Sequence, residues 1–301
     1  MKIAAIDLGS NTFHLIIAEI EDNNLNVIFK TNSPVKLSED ITKSNSIIPL
    51  AFERGLACLQ HFKSITRTFE VEKIQAVATS AIRSAGNGEN FIKEAYNLTG
   101  IEIEIISGER EAELIYQGVK FSGAVRGRSL IMDIGGGSTE FIFCDENKAY
   151  WKKSFDIGAA RLMQMYWNSD PISFEDRQLI NDHLKETLKE LVEFNASFGA
   201  TNLVGSAGAF ETFIEMIDPS IEMKSIKKAS IDIAEYKQLS LKLINSTHQE
   251  RLSLPNLIPL RVDMIVMASI LIDFILDNFK IQNMFLSTYD LKYGILQDNS
   301  L

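Results

Sequence analysis

Cysteine is nearly absent from this chain: two in 301 residues, Cys58 and Cys144, with no Cys-x-x-Cys and no Cys/His cluster. That excludes a disulfide framework and a zinc site, and leaves two buried, reduced thiols as the expectation. Positive charge is also in short supply, with 30 Lys and Arg against 40 Asp and Glu and a formal net charge of −10. Proteins that live on duplex nucleic acid carry a basic face, so nucleic acid is not an expected partner. No apolar run reaches membrane length. The most apolar stretch, residues 264–276, is interrupted by Asp273 and reads as a buried helix, so no membrane partner is expected either. The opening MKIAAID reaches Asp7 too early for the apolar region of a leader, and a cytoplasmic location is expected. The four histidines (14, 61, 183 and 248) are scattered, no Ser/His/Asp grouping can be read, and His14 is expected to pack within a strand.

What is present is an ordinary globular composition, 46% hydrophobic and 23% charged, over a length that suits two domains better than one core. An acidic protein that handles a polyanion must gather positive potential in one cleft, from backbone N–H groups, a few Arg or Lys, and a metal ion.

Strands are expected at 3–6, 13–20 and 27–31, with a turn at 21–24. A helix follows over 49–69, a strand at 74–78, a polar turn TSAIR at 79–83, a helix near 89–98, a strand at 101–106 and a helix over 108–121. The small, basic passage SGAVRGR at 122–128 marks a domain boundary. Beyond it come strands at 130–134 and 140–144, helices at 159–167 and 173–197, and a strand at 202–205 running into GSAG. Helices from 209, at 232–246 and at 261–279, a strand at 283–287 and a short helix at 290–297 complete the chain.

The pattern restarts after the boundary. AAIDLGSNTFHLII and LIMDIGGGSTEFIF pair Asp7 with Asp133, Gly9 with Gly135 and Thr12 with Thr139, with one extra residue in the second copy. Such a repeat implies two domains of related topology whose turns face one cleft. Gly-rich turns commonly only join hairpins. Two copies of the same Asp, Gly and hydroxyl arrangement point instead to phosphate, which binds where N–H groups converge without a Cβ in the way. The candidate phosphate ligands are Gly9, Ser10, Asn11 and Thr12 in one turn and Gly135, Gly136, Gly137, Ser138 and Thr139 in the other. Gly205 and Gly208 of GSAG form a third turn that completes the cradle. Asp7 and Asp133, each at a strand end, are placed to hold Mg²⁺. Arg83 at the end of TSAIR is a candidate fork onto phosphate oxygens, or a surface loop arginine. In SGEREAELIYQG a general base for water can be sought among Glu109, Glu111 and Glu113, and the residues alone do not choose between them.

Taken together, AAIDLGSNTFHLIIA, VATSAIR, ISGEREAELIYQGV, MDIGGGSTEF, FDIGAARL, GSAG and LIPLRVDMIVMASILI resemble the exopolyphosphatase/guanosine pentaphosphate phosphatase family, nearly end to end. The resemblance implies an α/β fold of two actin-like (ribonuclease H-like) domains with an interdomain cleft. The first covers 1–121 with the segment 287–301 packed back on it, and the second covers 122–286. It implies Mg²⁺-dependent release of terminal phosphate from inorganic polyphosphate, with pppGpp as the alternative substrate and a non-catalytic polyphosphate or alarmone sensor as the alternative of another class. The family's catalytic Glu falls on Glu111. Its metal and phosphate residues fall on Asp133, Glu140, Asp7, Ser10, Asn11 and Thr12, and its TSAxR arginine on Arg83. A homodimer is allowed. Two departures stand out: Arg110-Glu111-Ala112-Glu113 where EEAR is usual, and DLKYG (290–294) where a GLREG-like pattern is usual. The length of the chain, without further helical domains, implies a shorter cleft suited to shorter polyphosphates or to pppGpp.

Overall fold

The computed structural model describes residues 1–21, 24–206 and 208–298; part of the turn expected at 21–24, Ala207 and the last three residues lie outside the described part. The elements run β1 (Lys2–Leu8), β2 (Thr12–Glu21), β3 (Asn24–Pro34), α1 (Ile41–Ser44), α2 (Pro49–Thr68), β4 (Lys73–Ala78), α3 (Ser80–Ser84), α4 (Gly88–Thr99), β5 (Ile103–Ile105) and α5 (Gly108–Ser122). They continue as β6 (Ser129–Ile134), β7 (Thr139–Cys144), β8 (Ala149–Phe155), α6 (Ala159–Tyr166), α7 (Phe174–Thr187), α8 (Lys189–Phe198), β9 (Asn202–Ser206) and α9 (Gly208–Ile217). Last come β10 (Lys228–Ile231), α10 (Ile233–Asn245), α11 (His248–Leu252), α12 (Met264–Asn278), β11 (Asn283–Ser287) and α13 (Leu291–Gln297).

Two sheets result, ordered β3-β2-β1-β4-β5 and β10-β11-β9-β6-β7-β8. Reversed, and with the edge strand β10 set aside, the second order repeats the first. Each sheet has a central strand paired antiparallel to the next strand of a hairpin and parallel to a crossover strand on its other side. The architecture is α/β and actin-like, duplicated within one chain.

The central strands are apolar on both faces because both faces are covered. Ala4, Ile6 and Leu8 of β1 turn toward a core with residues of α2 and α4, while Ile3 and Ala5 turn the other way. Leu130 and Met132 of β6 likewise face the core of the second half, and Ile131 faces away. The two away-facing sets meet in a shared core with Ala112, Leu114, Ile115 and Val119 of α5 and Leu291, Ile295 and Leu296 of α13. Helices α5 and α13 therefore form a layer between the sheets, and position 121 falls near the C-terminal end of α5, inside it. The two helices touch backbone to backbone. A Cβ at Gly118 would stand 2.1 Å from the Asp290 carbonyl oxygen, and one at Gly294 would stand 1.9 Å from that of Leu114. Only glycine permits so close an approach.

Several expectations need correction. TSAIR is mostly helical, as α3, because after Thr79 the small residues Ser80 and Ala81 can turn directly off β4. The helix expected over 173–197 is two helices, α7 and α8, joined at Leu188. Strands β8 and β10 were not foreseen, since AYWKKSF and KASI are short and half-polar. Among the described residues no helix is long and apolar enough to cross a membrane.

Candidate active site

The repeated motif folds into two hairpins of equal register. Asp7 pairs across the ladder with His14, and Asp133 pairs with Glu140, seven residues apart in both. There is no extra residue in the second copy: the ladder matches Thr12 with Ser138, not with Thr139.

Both turns send their carbonyls outward. Asn11 O accepts from Val35 N (3.0 Å) and Lys36 N (2.8 Å), and Ser10 O accepts from Ser38 N (2.9 Å). On the second turn Gly135 O accepts from Ala159 N (2.9 Å), Gly136 O from Arg161 N (3.0 Å) and Gly137 O from Gly158 N (3.2 Å). Arg161 Nε adds a bond to Gly137 O at 2.9 Å. With these carbonyls held outside, and Gly135 N closing the second turn onto Ser138 O (2.9 Å), the remaining turn N–H groups can point at an anion. The two turns also touch. A Cβ on Gly137 would lie 2.6 Å from Ser80 Oγ and 2.8 Å from Ser10 Oγ, and one on Gly136 would lie 3.2 Å from Ser10 Cβ. These glycines thus serve the meeting of the two turns as well as any ligand. Gln164 of α6 ties the halves further, donating to Ser38 O (3.0 Å) and accepting from Thr42 Oγ1 (2.8 Å).

Beneath the turns is a cavity of about 490 Å³, walled by both sheets and by the start of α13. Asp7, Asp133, Glu140 and Glu111 line it together. Burial pushes the Asp7, Asp133 and Glu111 carboxyls up to about 7. Glu140 is raised well above its usual range by burial and by the charges of Glu111 and Asp133. Four carboxyls short of solvent and partly repelling one another are an arrangement that calls for cations. Each is nevertheless placed by a partner or a neighbour. Arg83 Nη1 donates to Glu111 Oε2 at 2.9 Å and to Ile106 O at 3.0 Å. Ser154 Oγ donates to Glu140 Oε1 at 2.6 Å, and Ser206 Oγ donates to Asp133 Oδ2 at 2.6 Å. Lys292, ion-paired to Asp290, lowers Asp7. Asp7 Oδ1 is buried with no hydrogen-bond partner.

Most of the expected residues converge on this cavity: Gly9, Ser10, Asn11, Thr12, Gly135, Gly136, Gly137, Ser138 and Gly208 line it alongside the four carboxylates. Three take other places. Thr139 is fully buried in β7 and its hydroxyl donates to Ile157 O at 3.1 Å, so it braces the segment leading to α6. Gly205 sits inside β9 with the Phe210 ring where its Cβ would be, at 1.9 Å, so it admits a ring rather than a phosphate. Arg83 holds Glu111 from behind. Glu113 is drawn instead to Lys152 on β8, at 2.5 Å, and is held below its usual range largely by that contact. His14, expected to pack, lines the cavity, its pKa held well below the ordinary value by burial and by Lys292 and Arg261. Lys292, Asp290, Ser154 and the pair Arg261–Glu211 (3.7 Å) were missed. The DLKYG departure is where the first two could have been found.

Among the described residues no three Asp, Glu, His or Cys side chains form a group that holds a metal ion unaided. The orphaned Asp7 Oδ1 and the raised carboxyls do fit a hard divalent cation that completes its shell with phosphate oxygens. The chemistry open to such a site is phosphoryl transfer to water: N–H groups for phosphate, carboxylates for a cation, and a buried glutamate that titrates near neutrality.

Comparison with known proteins agrees with this chemistry. The model of the Ppx/GppA phosphatase family matches residues 16–301. The crystal structure of an exopolyphosphatase from Cytophaga hutchinsonii superposes with a TM-score of 0.95 at 35% identity, covering 98% of this chain and 96% of that one. A Ppx/GppA family member from Aquifex aeolicus gives 0.83 at 25% identity, covering 98% and 96%. A guanosine-5'-triphosphate,3'-diphosphate pyrophosphatase of Aliivibrio fischeri is 30% identical over 241 residues, which are 78% of this chain and 48% of that relative, so the chain spans about half the relative's length.

Proposed function

The chain belongs to the Ppx/GppA phosphatase family, and from that premise we propose that it is an exopolyphosphatase, releasing the terminal phosphate of inorganic polyphosphate in the cavity between the two hairpins. The observation that carries this reading is the convergence of two Asp-bearing turns, one from each sheet, on a buried glutamate whose arginine partner fixes its direction. We read the halves flanking the cavity as two domains, 122–286 and 1–121 with the 287–301 segment, the last three residues of that segment lying outside the described part.

Glu111 is the general base. Its carboxyl, titrating near 7, takes a proton from water as the water oxygen bonds to the terminal phosphorus. The bridging P–O bond breaks, and the shortened polyphosphate leaves as an anion. Arg83 keeps the Glu111 oxygen aimed and limits the rise of its pKa. The turn N–H groups, with Ser10 and Ser138, hold the terminal phosphate, and the meeting of the turns excludes bulk water. Asp7, Asp133 and Glu140 would hold Mg²⁺ or a similar cation, which supplies charge neutralisation to the phosphoanhydride. The pppGpp reading shares all of these residues and is favoured by the apolar wall of Ile258, Leu260, Met264, Ile265 and Ala268, which a polyphosphate does not require. Phosphate release from polyphosphates of graded length and from pppGpp, with Mg²⁺ at equal substrate concentration, tests both. Turnover of polyphosphate is expected. Release from neither substrate overturns the proposal.

A further inference from the structure

Helices α5 and α13 lie antiparallel and in step. Gly118 faces the Asp290 carbonyl and Gly294, one turn earlier Leu114 faces Gly294, and one turn earlier again Arg110 meets Asp298, the residue that caps the end of α13. This last contact is made beside Glu111, in the first turn of α5. A first turn has the least support from its own helix, because its N–H groups have no carbonyl behind them. Ser107 Oγ accepts from Arg110 N at 3.1 Å, and other side chains must supply the rest. Both charges have the wrong sign for their helix ends. The N-terminus of a helix favours acids and the C-terminus favours bases, yet the first turn of α5 holds Arg110 and the end of α13 holds Asp298. Each is compensated by the other: Arg110 Nη2 donates to Asp298 Oδ2, and the acid is only 10% exposed. The Asp298 carbonyl also accepts from Gln75 Nε2 at 2.8 Å. Gln75 is buried in β4, the strand that runs on into α3 and Arg83. Asp298 thus touches both elements from which the Arg83–Glu111 ion pair (2.9 Å) is built.

We propose that Asp298 and Arg110 form a latch that positions Glu111 against Arg83. The proposal rests on the reading of Glu111 as the general base, and it makes Asp298 and Arg110 positioning residues for that base. The cation bonded to Glu111 is Arg83, so the latch acts on where the carboxylate stands and not by pairing with it. It also gives the arginine before Glu111 a role, since the glutamate usual at that position would set a like charge against Asp298. A displacement of about 1 Å at a reacting group can cost up to about 10²-fold in rate, so a first turn held from outside its own helix is a sensitive place for a general base.

The test separates loss of chemistry from loss of fold. Asp298→Ala and Arg110→Met are each expected to lower kcat about ten-fold or more with KM within about two-fold, in steady-state phosphate release from whichever of polyphosphate and pppGpp the wild type turns over faster. The reversed pair, Arg110→Asp with Asp298→Arg, restores the attraction and suits both helix ends, so its kcat is expected within about three-fold of wild type. Hydrogen exchange read by mass spectrometry should quicken in the first turn of α5 in Asp298→Ala, with the amides of residues 114–119 unchanged. A kcat within about two-fold of wild type in either single variant, a reversed pair no better than the single variants, or exchange that rises equally along all of α5 overturns the latch. Should Asp298→Ala not fold, Asp298→Asn keeps the shape without the charge and is read the same way, with a loss of kcat of about five-fold expected and a kcat within about two-fold of wild type overturning the latch. A Glu111→Gln enzyme with unchanged kcat would sink the functional reading itself, whereas an enzyme that needs Glu111 and ignores Asp298 and Arg110 sinks only this inference.

Discussion

The two hairpins share one backbone and differ in what faces the aspartate. Opposite Asp7 stands His14, kept neutral by burial and by the cations Lys292 and Arg261. Opposite Asp133 stands Glu140, and around it gather Glu111, Ser154 and Ser206. The first turn thus presents N–H groups with neutral or positive company, and the second presents N–H groups with acids. The duplicated motif thus carries one acid, Asp7, in its first copy and two, Asp133 and Glu140, in its second, through a change at a single ladder position. The register makes the division legible, since equal spacing puts residues 14 and 140 at equivalent places.

The hardest test of the division falls on the acidic side. Glu111→Gln keeps shape and cannot accept a proton, so kcat should fall about 10²–10⁴-fold with KM little changed. Glu109→Gln and Glu113→Gln are the controls. Glu109 is exposed and Glu113 pairs with Lys152, so each should cost no more than a few-fold. A larger loss at either neighbour, measured by steady-state phosphate release, would reassign the base.

Next in size is the exchange across the hairpins. Glu140→Gln should lower kcat and raise the Mg²⁺ concentration needed for half-maximal activity about 10–100-fold, as loss of a cation-side carboxylate does. His14→Gln at the equivalent ladder position should leave the Mg²⁺ requirement within about two-fold and act on KM. Equal metal dependence in the two variants would erase the distinction between the copies.

A pH experiment sharpens the same contrast through stability. Asp7, Asp133 and Glu111 are pushed up to about 7 in the folded chain, well above ordinary carboxyls. The folded state therefore holds protons that the unfolded chain has released. These groups favour folding fully below the ordinary carboxylate range, and that contribution is lost as pH rises through about 4 to 7. Metal-free protein should melt higher at pH 5.5 than at pH 7.5, by scanning calorimetry. Added Mg²⁺ should raise Tm more at pH 7.5, where the carboxylates are ionised. A Tm indifferent to both would mean that the acids are already neutralised by other means.

Much of this was legible in the sequence, and the omissions have physical causes. Strand, Asp and Gly-rich turn announce themselves locally, so Asp7, Asp133 and the turn residues were found from spacing alone. Choosing Glu111 among three glutamates required the family resemblance, because its burial depends on α5 lying between two sheets, which no local pattern reveals. Lys292 and Arg261 reach the cavity from distant segments, and Ser154 joins it through Glu140, so the three come together only in the fold. Arg83 was read as a phosphate fork because a loop arginine after a strand looks free, whereas the short helix α3 turns it back onto Glu111.

The smallest effect on activity belongs to Thr139, which the repeat read from sequence pairs with Thr12. Its hydroxyl is fully buried and donates to Ile157 O, two residues before the α6 N-terminal segment that caps the second turn's carbonyls. Thr139→Val keeps the shape and leaves the Ile157 carbonyl without this donor, a loss of about 1–3 kcal/mol for an unsatisfied buried acceptor. In a chain of this size that corresponds to a fall in Tm of several degrees. Because the hydroxyl does not reach the cavity, KM and kcat at low temperature should stay within about two-fold. Ser138→Ala, at the ladder position that does match Thr12, should instead raise KM several-fold. If Thr139→Val raised KM while Ser138→Ala did not, the hydroxyl on the phosphate would be that of Thr139, and the equal register of the two hairpins would lose its functional meaning.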